Sequence, residues 1–228
     1  MYNKAINKQR SSMSGLEFLR STKIVSTVGT ATDGTSKLKS LIKAGVNVFR
    51  LNFSHGNHGD HLKRITNIRS VANDLDCNVA ILADLQGPKF RIGEVKSDIK
   101  VIKGNNYIFD KNTEIGDFSR VNLSHDEIYE SLSIGSNILM DDGKLQFVVK
   151  KILKDKINTE VVVGGYIKSN KGINLPDVVI NTNPLTPKDI EDLKFILNQD
   201  VDWIALSFVQ KLSDVEEVKK YIGDKAGV

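Results

Sequence analysis

Residues 48–61 read VFRLNFSHGNHGDH, a stretch that begins as an apolar strand and turns polar within three residues. Side chains alternate along an extended chain, so Arg50, Asn52 and Ser54 share one face while the two hydrophobic residues between them point to the other. Arginine can clamp a phosphate or a carboxylate through two parallel hydrogen bonds, and the oxygens of Asn52 and Ser54 suit an alkali or alkaline-earth cation. The stretch therefore predicts an anion clamp beside a cation pocket; the alternative is a buried arginine capped by its neighbours.

Segments of similar character recur along the chain. Near-continuous apolar runs rich in β-branched residues, as expected of parallel strands buried on both faces, occupy residues 23–29, 46–53, 78–85 and 201–209. Helical patterns lie between them: an apolar stripe over residues 60–76, a helix beginning at Pro187 after Thr186, and a last helix opened by a Ser213/Glu216 capping box. The order β-α-β-α-β, then α-β-α after a long interruption, predicts an α/β fold with a parallel sheet.

The interruption at residues 92–175 has short alternating strands separated by Gly, Asn and Asp, and Asp142-Gly143 predicts a hairpin turn. We therefore expect an inserted all-β, barrel-like domain here. Residues 22–91 and 176–228 would form the sheet domain, and residues 1–21 a flexible N-terminal arm. A complete (β/α)8 barrel needs eight strands and about 250 residues, so about four strands predict a partial TIM barrel, with an open doubly wound sheet as the alternative.

The third strand ends in ADLQGPKFRIG, residues 83–93, which brings more charge to the same end of the sheet. Lys89 and Arg91 fall on one face of an extended segment, shortly after Asp84. Two cations with a carboxylate nearby suit a polyphosphate, and a surface ion pair is the alternative interpretation.

Two other motifs are incomplete. Residues 29–37, GTATDGTSK, are similar to a phosphate loop, but Thr35 stands where that motif requires lysine. His55, His58 and His61 are spaced by three, yet no cysteine or further histidine joins them to complete a zinc site.

Composition narrows the class of protein. The net charge of +4 is carried by the first 23 residues, which predicts a solvated basic arm rather than a nucleic-acid surface. A single cysteine, Cys77, excludes an intrachain disulfide and fits a reducing compartment. No segment approaches the roughly 18 apolar residues that span a bilayer. These features predict a cytoplasmic protein without a membrane or nucleic-acid partner.

Six motifs, in this order and at these spacings, resemble the N-terminal half of pyruvate kinase: TKIVSTVG, AGVNVFRLNFSHG, ILADLQGPKFRIG, NKGINLPD, LTPKDIEDLKFI and VDWIALSFV. The resemblance runs from about residue 22 to the end of the chain. It implies a barrel A domain with a mobile B domain inserted after the third strand. It also implies phosphoryl transfer from phosphoenolpyruvate to ADP, giving pyruvate and ATP with Mg²⁺ bridging the substrates.

The resemblance also implies roles for individual residues. Arg50 would contact the phosphate being transferred. The monovalent-cation pocket would comprise Asn52, Ser54, Asp84 and the carbonyl of Leu85. Nucleotide contacts would come from His55, Arg91 and Lys171.

Two positions depart from the common family pattern. Lys89, together with Leu85, Gln86 and Ile92, resembles the potassium-independent branch, in which a lysine ammonium occupies the place of K⁺. We therefore expect that K⁺ is not required. Thr30 stands where the family usually has proline after Gly29, at the nucleotide loop.

The family's catalytic lysine and its Mg²⁺-binding acids are expected beyond Val228, as are the segments that form its homo-oligomer. On that basis we expect the 228-residue chain alone to be inactive and prone to aggregate or pair with a partner. Two alternatives stay open: a non-catalytic half-barrel interaction protein, and a pyruvate-enolate barrel enzyme such as a Mg²⁺-dependent aldolase. The β insert and the Lys89–Arg91 pair argue against an aldolase, which has no nucleotide to cover.

Overall fold

The structure is a computed structural model that describes residues 21–228. Residues 1–20 of the predicted N-terminal arm lie outside this range. In chain order the elements are β1 (Val25–Thr27), α1 (Thr35–Lys43), β2 (Val48–Asn52), α2 (His58–Asp74), β3 (Ala80–Asp84), β4 (Ile99–Val101), β5 (Asn106–Asp110), β6 (Arg120–Asn122), α3 (Asp126–Ser131), β7 (Asn137–Met140), β8 (Leu145–Leu153), β9 (Lys156–Val163), β10 (Gly165–Ile167), β11 (Ile173–Asn174), α4 (Pro187–Ile196), β12 (Trp203–Ala205) and α5 (Leu212–Ile222).

The chain divides into two compact units. The first contains the described residues up to Gln86, together with Pro187–Ser207 and Val215–Val228. The second contains Gly87–Thr186 and Phe208–Asp214.

The first unit is built on a four-stranded parallel sheet in the order β1-β2-β3-β12, which confirms the predicted α/β class. Alternate residues of its two central strands, such as Phe49, Leu51 and Ile81, are fully buried. The residues between them, including Arg50 and Leu82, are only partly covered. One face of the sheet thus forms the core, and the other is half open, as expected for part of a barrel that lacks opposing strands.

The helices of the first unit begin close to the predicted positions. Helix α2 begins at His58, two residues earlier than expected, because Asn57 and Asp60 form a capping box: the Asp60 amide donates to Asn57 Oδ1 at 3.0 Å and the Asn57 amide to Asp60 Oδ2 at 3.2 Å. Helix α4 begins at Pro187, as predicted.

The predicted Ser213/Glu216 capping box is wrong, because α5 already begins at Leu212. The carboxylate of Asp214 instead accepts the backbone amides of Gln210 and Lys211, both at 2.9 Å. A charged acceptor at the positive end of a helix is a stronger partner than a serine hydroxyl.

The second unit is a small β domain. Its main sheet has six strands in the order β11-β7-β8-β9-β5-β6, and β10 pairs with β4 in a separate two-stranded sheet. The hairpin predicted at Asp142-Gly143 is confirmed: β7 and β8 pair antiparallel up to Met140 opposite Leu145. The rings of Tyr107, Phe109 and Phe147 meet at centroid distances of 5.1–5.8 Å in its core.

Two features of the second unit were not predicted. Helix α3 interrupts the strands and buries Ile128 and Tyr129 in the β core; six residues are too few to show a helical period in the sequence. Strand β5 pairs with β6 in parallel, rather than as a simple hairpin. Among residues 21–228, no helix has the length and apolar character needed to cross a bilayer.

Candidate active site

Arg50 lies at the carboxyl end of β2, between the ends of its two neighbours. Parallel register sets Thr27 beside Arg50 on one side and Asp84 beside Asn52 on the other. Arg50 Nε donates to Asp84 Oδ2 at 2.7 Å, Nη2 contacts the same oxygen, and Nη1 donates to Thr27 Oγ1 at 2.9 Å. The Arg50 side chain is still 34% exposed, so the guanidinium is held in place and part of it faces solvent.

The expected oxygen ligands gather at the same end of the sheet. Asn52 Oδ1 accepts the amide of Ser54 at 2.9 Å, and the carbonyl of Leu85 accepts the hydroxyl of Ser207 at 2.8 Å. Ser207 Oγ also lies 3.4 Å from Asp84 Oδ1. The acceptor groups of Asn52, Asp84 and Leu85 therefore each have a protein hydrogen bond, and the charge of Asp84 is balanced by Arg50.

His55 follows this strand end and lines a cavity of about 360 Å³ in the first unit. The loop at Gly29 and Thr30 forms another wall of the cavity, and Arg64 of α2 a third. Arg64 is 91% buried, and its Nε has no hydrogen-bond partner among the described residues. The carboxylate of Asp33 forms a long ion pair with it, with Oδ2 3.8 Å from Arg64 Nε.

Sequence reasoning missed Arg64 as a candidate site residue. The sequence does contain a signal for it: the spacing of Arg64 places it on the same face of α2 as His61, Ile65 and Ile68, which is buried. A charged residue on the apolar face of a helix is costly to bury without a partner and deserves a functional hypothesis.

His58 and His61, both in the first turn of α2, have separate structural roles. His61 is buried, stacks on Phe53 at a centroid distance of 4.0 Å, and has Nε2 3.0 Å from the carbonyl of His55. Burial lowers the pKa of His61, so the neutral ring donates from Nε2 to that carbonyl. Its Nδ1 is buried and has no hydrogen-bond partner among the described residues.

His58 belongs to a second network at this strand end. Its ring stacks on Phe195 at 4.3 Å, and Nε2 lies 2.8 Å from Oδ1 of the buried Asp192. Lys188 Nζ donates to Asp192 Oδ2 at 2.6 Å and to the carbonyl of Phe53 at 2.8 Å. Helix α4 thereby fixes the backbone between Asn52 and Ser54, which positions the end of β2.

In the second unit, the predicted nucleotide residues lie on adjacent extended segments. Arg91 forms an antiparallel bridge with Gly172, and the amide of Ile92 donates to the carbonyl of Lys171 at 3.0 Å. Arg91 Nη1 donates to the carbonyl of Asn170 at 2.7 Å. Lys171 Nζ contacts Asp141 Oδ1 at 2.7 Å. The backbones that carry Arg91 and Lys171 are therefore paired, in a register that sets Lys171 opposite Ile92 and Arg91 opposite Gly172.

Lys89 is exposed and lines a cavity of about 440 Å³ in the second unit, together with Asp142, Asn174 and Phe208. Phe90 and Ile92 are buried, which agrees with the predicted alternation of Lys89 and Arg91 onto one face. Within residues 21–228, no group of three or more His, Cys, Asp and Glu side chains is arranged to hold a metal ion.

A four-stranded parallel sheet with an ion-paired arginine at its strand ends, and a β domain inserted after its third strand, is the arrangement of a partial (β/α)8 barrel. The family profile described as pyruvate kinase, barrel domain, matches residues 19–227. The chain therefore belongs to the pyruvate kinase family, as its motifs predicted.

Curated relatives agree with this assignment. The chain is 41% identical over 211 residues to a pyruvate kinase of Agrobacterium vitis, covering 92% of this chain and 44% of the relative. It is 41% identical to pyruvate kinase 2 of Synechocystis sp. over 89% of the chain and 35% of the relative. For a Staphylococcus aureus pyruvate kinase the identity is 39%, over 91% and 36% respectively. The chain thus spans less than half the length of these relatives.

Proposed function

We propose that this chain provides the phosphate-clamping part of a pyruvate kinase-type phosphotransferase, which moves a phosphoryl group from phosphoenolpyruvate to ADP to give pyruvate and ATP. The observation that carries the proposal is Arg50, which is fixed by Asp84 and Thr27 and still partly exposed. Phosphoryl transfer depends mainly on positioning and on stabilising negative charge. A pre-oriented guanidinium at a strand end suits that chemistry.

In this proposal each candidate residue has one role. Arg50 binds the phosphate of phosphoenolpyruvate. His55, which lines a cavity together with Thr30 and Arg64, would contact the nucleotide, as the resemblance implies. Arg91 and Lys171, whose backbone segments are paired, would contact phosphate groups of the nucleotide, as the resemblance implies.

Mg²⁺ is implied by the family, but the described residues do not fit it by themselves. They contain no cluster of three His, Cys, Asp or Glu suited to a metal ion, and Arg50 neutralises Asp84. No step of the proposal therefore passes through a protein-bound Mg²⁺.

For K⁺, we propose that none is required. The carboxylate that would balance a monovalent cation is already paired with Arg50, and Asn52 and Leu85 accept hydrogen bonds from the protein. The family resemblance assigns the remaining positive charge to Lys89. A cytoplasmic location, which the single cysteine Cys77 favours, is part of the same proposal.

Calorimetric titration of the purified chain with phosphoenolpyruvate tests the clamp. Arg50→Gln should weaken binding about tenfold or more, because a hydrogen bond to a charged group contributes about 1.5–3 kcal/mol. Arg50→Lys should retain part of the affinity, since it keeps the charge and loses the two-point geometry. Lys150→Gln is the matched control, because it removes one positive charge from an exposed pair with Glu160 in the second unit.

Equal affinity of the wild type and Arg50→Gln would refute the proposed role of Arg50. A coupled assay with phosphoenolpyruvate, ADP and Mg²⁺ then measures turnover. Folded protein that binds neither substrate would instead favour the half-barrel interaction protein considered above.

A further inference from the structure

Asp141, in the turn after β7, is the closest carboxylate partner of Lys171 in the second unit. Its Oδ1 lies 2.7 Å from Lys171 Nζ, and its Oδ2 lies 3.1 Å from Lys144 Nζ. The hydrogen bond from Lys171, followed by the one from Lys144, lowers the pKa of Asp141. The side chain of Asp141 is 17% exposed and that of Lys171 33%, so the pair lies at the edge of the domain, where a ligand can reach the lysine.

The backbone holds this carboxylate in place at a conformational cost. Asp141, Asp142 and Gly143 follow one another with φ values of 52°, 58° and 83°. The left-handed region is unfavourable for most residues, and Asp and Asn are among the few that tolerate it. The amide of Asp141 donates to the carbonyl of Gly172 at 3.2 Å, which ties the turn to the segment that carries Lys171.

A ligand phosphate that binds Lys171 must replace this carboxylate. Both groups present anionic oxygens to the same ammonium, so they compete for its N–H donors. Lys144, which is 69% exposed, contacts the other oxygen of Asp141 and can keep the carboxylate paired after Lys171 leaves it.

We propose that Asp141 is the resting counter-ion of Lys171, occupying in the free protein the place that a nucleotide phosphate oxygen takes in the complex. This rests on the proposed function, in which Lys171 contacts the nucleotide phosphates. Asp141 therefore lowers the affinity for the nucleotide while keeping the lysine oriented and its charge balanced.

Calorimetric titration of the full chain with ADP, at fixed ionic strength, tests whether the Asp141 carboxylate and the ligand phosphate compete for Lys171. Asp141→Asn should bind ADP about two- to fivefold more tightly, the range expected when a partly exposed ion pair is removed. Asp142→Asn is the matched control, because it removes the same charge one residue away and also tolerates the left-handed backbone. A smaller gain is expected there, since no contact of the Asp142 carboxylate with Lys171 is present.

The variant Lys171→Met separates competition from general electrostatics. Asp141→Asn should give no gain when combined with Lys171→Met. Weaker or unchanged ADP binding in Asp141→Asn would overturn the proposal, as would an equal gain in Asp142→Asn.

A second readout distinguishes failure of this inference from failure of the proposed function. If ADP does not bind, or binds equally well to Lys171→Met, the nucleotide role of Lys171 fails. The rate at which an amine-reactive reagent acylates Lys171, measured by mass spectrometry, then tests whether Asp141 pairs with the Lys171 ammonium in the free protein. Faster labelling in Asp141→Asn than in Asp142→Asn supports the counter-ion, and equal rates refute it.

Discussion

Arg50 and Asp84, at the carboxyl ends of neighbouring parallel strands, form an ion pair in which Nε and Nη2 of the arginine contact the same carboxylate oxygen. The pair joins the proposed anion clamp to the proposed cation pocket. Because Asp84 is 15% exposed and Arg50 34%, solvent weakens the attraction without removing it.

A double-mutant cycle should measure this coupling. Arg50→Met, Asp84→Asn and the double variant should give a coupling free energy of about 1–2 kcal/mol, between the values for exposed and buried charged hydrogen bonds. Urea unfolding followed by fluorescence of Trp203, the only tryptophan, reports on the first unit through β12. Additive effects of the two single variants would show that the pair does not stabilise the sheet end.

His61 should make the first unit less stable in mild acid. Its pKa is lowered by burial, so the unfolded chain binds a proton more readily than the folded one. Stability is then complete above the unfolded value of about 6.5 and declines as pH falls below it. The Trp203 unfolding midpoint should therefore drop between about pH 8 and about pH 5.

His61→Phe should reduce this pH dependence, because phenylalanine can keep the stack on Phe53 and cannot titrate. Its midpoint should be lower at neutral pH, since the hydrogen bond to the His55 carbonyl is lost. His125→Gln in the second unit serves as the control and should leave the slope of the Trp203 transition unchanged. An equally steep slope in His61→Phe would assign the titration to another group.

In the second unit, Asp110 and Arg120 form the most buried ion pair described. Arg120 Nε donates to Asp110 Oδ2 at 2.8 Å and Nη2 to Oδ1 at 2.5 Å, and the side chains are 15% and 6% exposed for Arg120 and Asp110. Removing one partner of such a pair leaves the other charge buried, so Asp110→Ala should destabilise the unit by about 3–5 kcal/mol.

Hydrogen exchange of peptides from β5 and β6 should detect this loss as faster exchange. The exposed Lys150–Glu160 pair gives the comparison, and Lys150→Ala should change stability by less than about 1 kcal/mol. A similar small effect in Asp110→Ala would mean that water compensates for the missing carboxylate.

The parallel sheet and the alternation of Arg50, Asn52 and Ser54 were predictable because buried strands and period-two side chains leave a direct trace in the sequence. The hairpin at Asp142-Gly143 was predictable for the same kind of reason, since few residues accept positive φ. Helix α3 was not, because its six residues are held by packing against the β core rather than by their own pattern.

The candidate site was predictable only at the level of residue types. That Arg50 would pair with Asp84 depends on the register of β2 against β3, which no local pattern specifies. The contact of Asp141 with Lys171 joins residues 30 positions apart through a turn with positive φ values. No local sequence pattern predicts such a contact. The burial of Arg64 was not predicted because arginine is usually exposed, even though its spacing places it on the buried stripe of α2.

The proposed independence from K⁺ provides the last test. Phosphoenolpyruvate binding should be the same in KCl as in an equal concentration of a bulky quaternary ammonium chloride, because Arg50 already balances the charge of Asp84 and the family resemblance gives Lys89 the place of K⁺. Lys89→Glu reverses the charge at that position and should weaken binding in the quaternary ammonium salt, with recovery in KCl. Lys89→Gln removes the lysine charge without adding a negative one, so its affinity for phosphoenolpyruvate should depend less on KCl than that of Lys89→Glu. Calorimetry in the two salts measures all three proteins, and a wild-type chain whose affinity rises with KCl would contradict the assignment of Lys89.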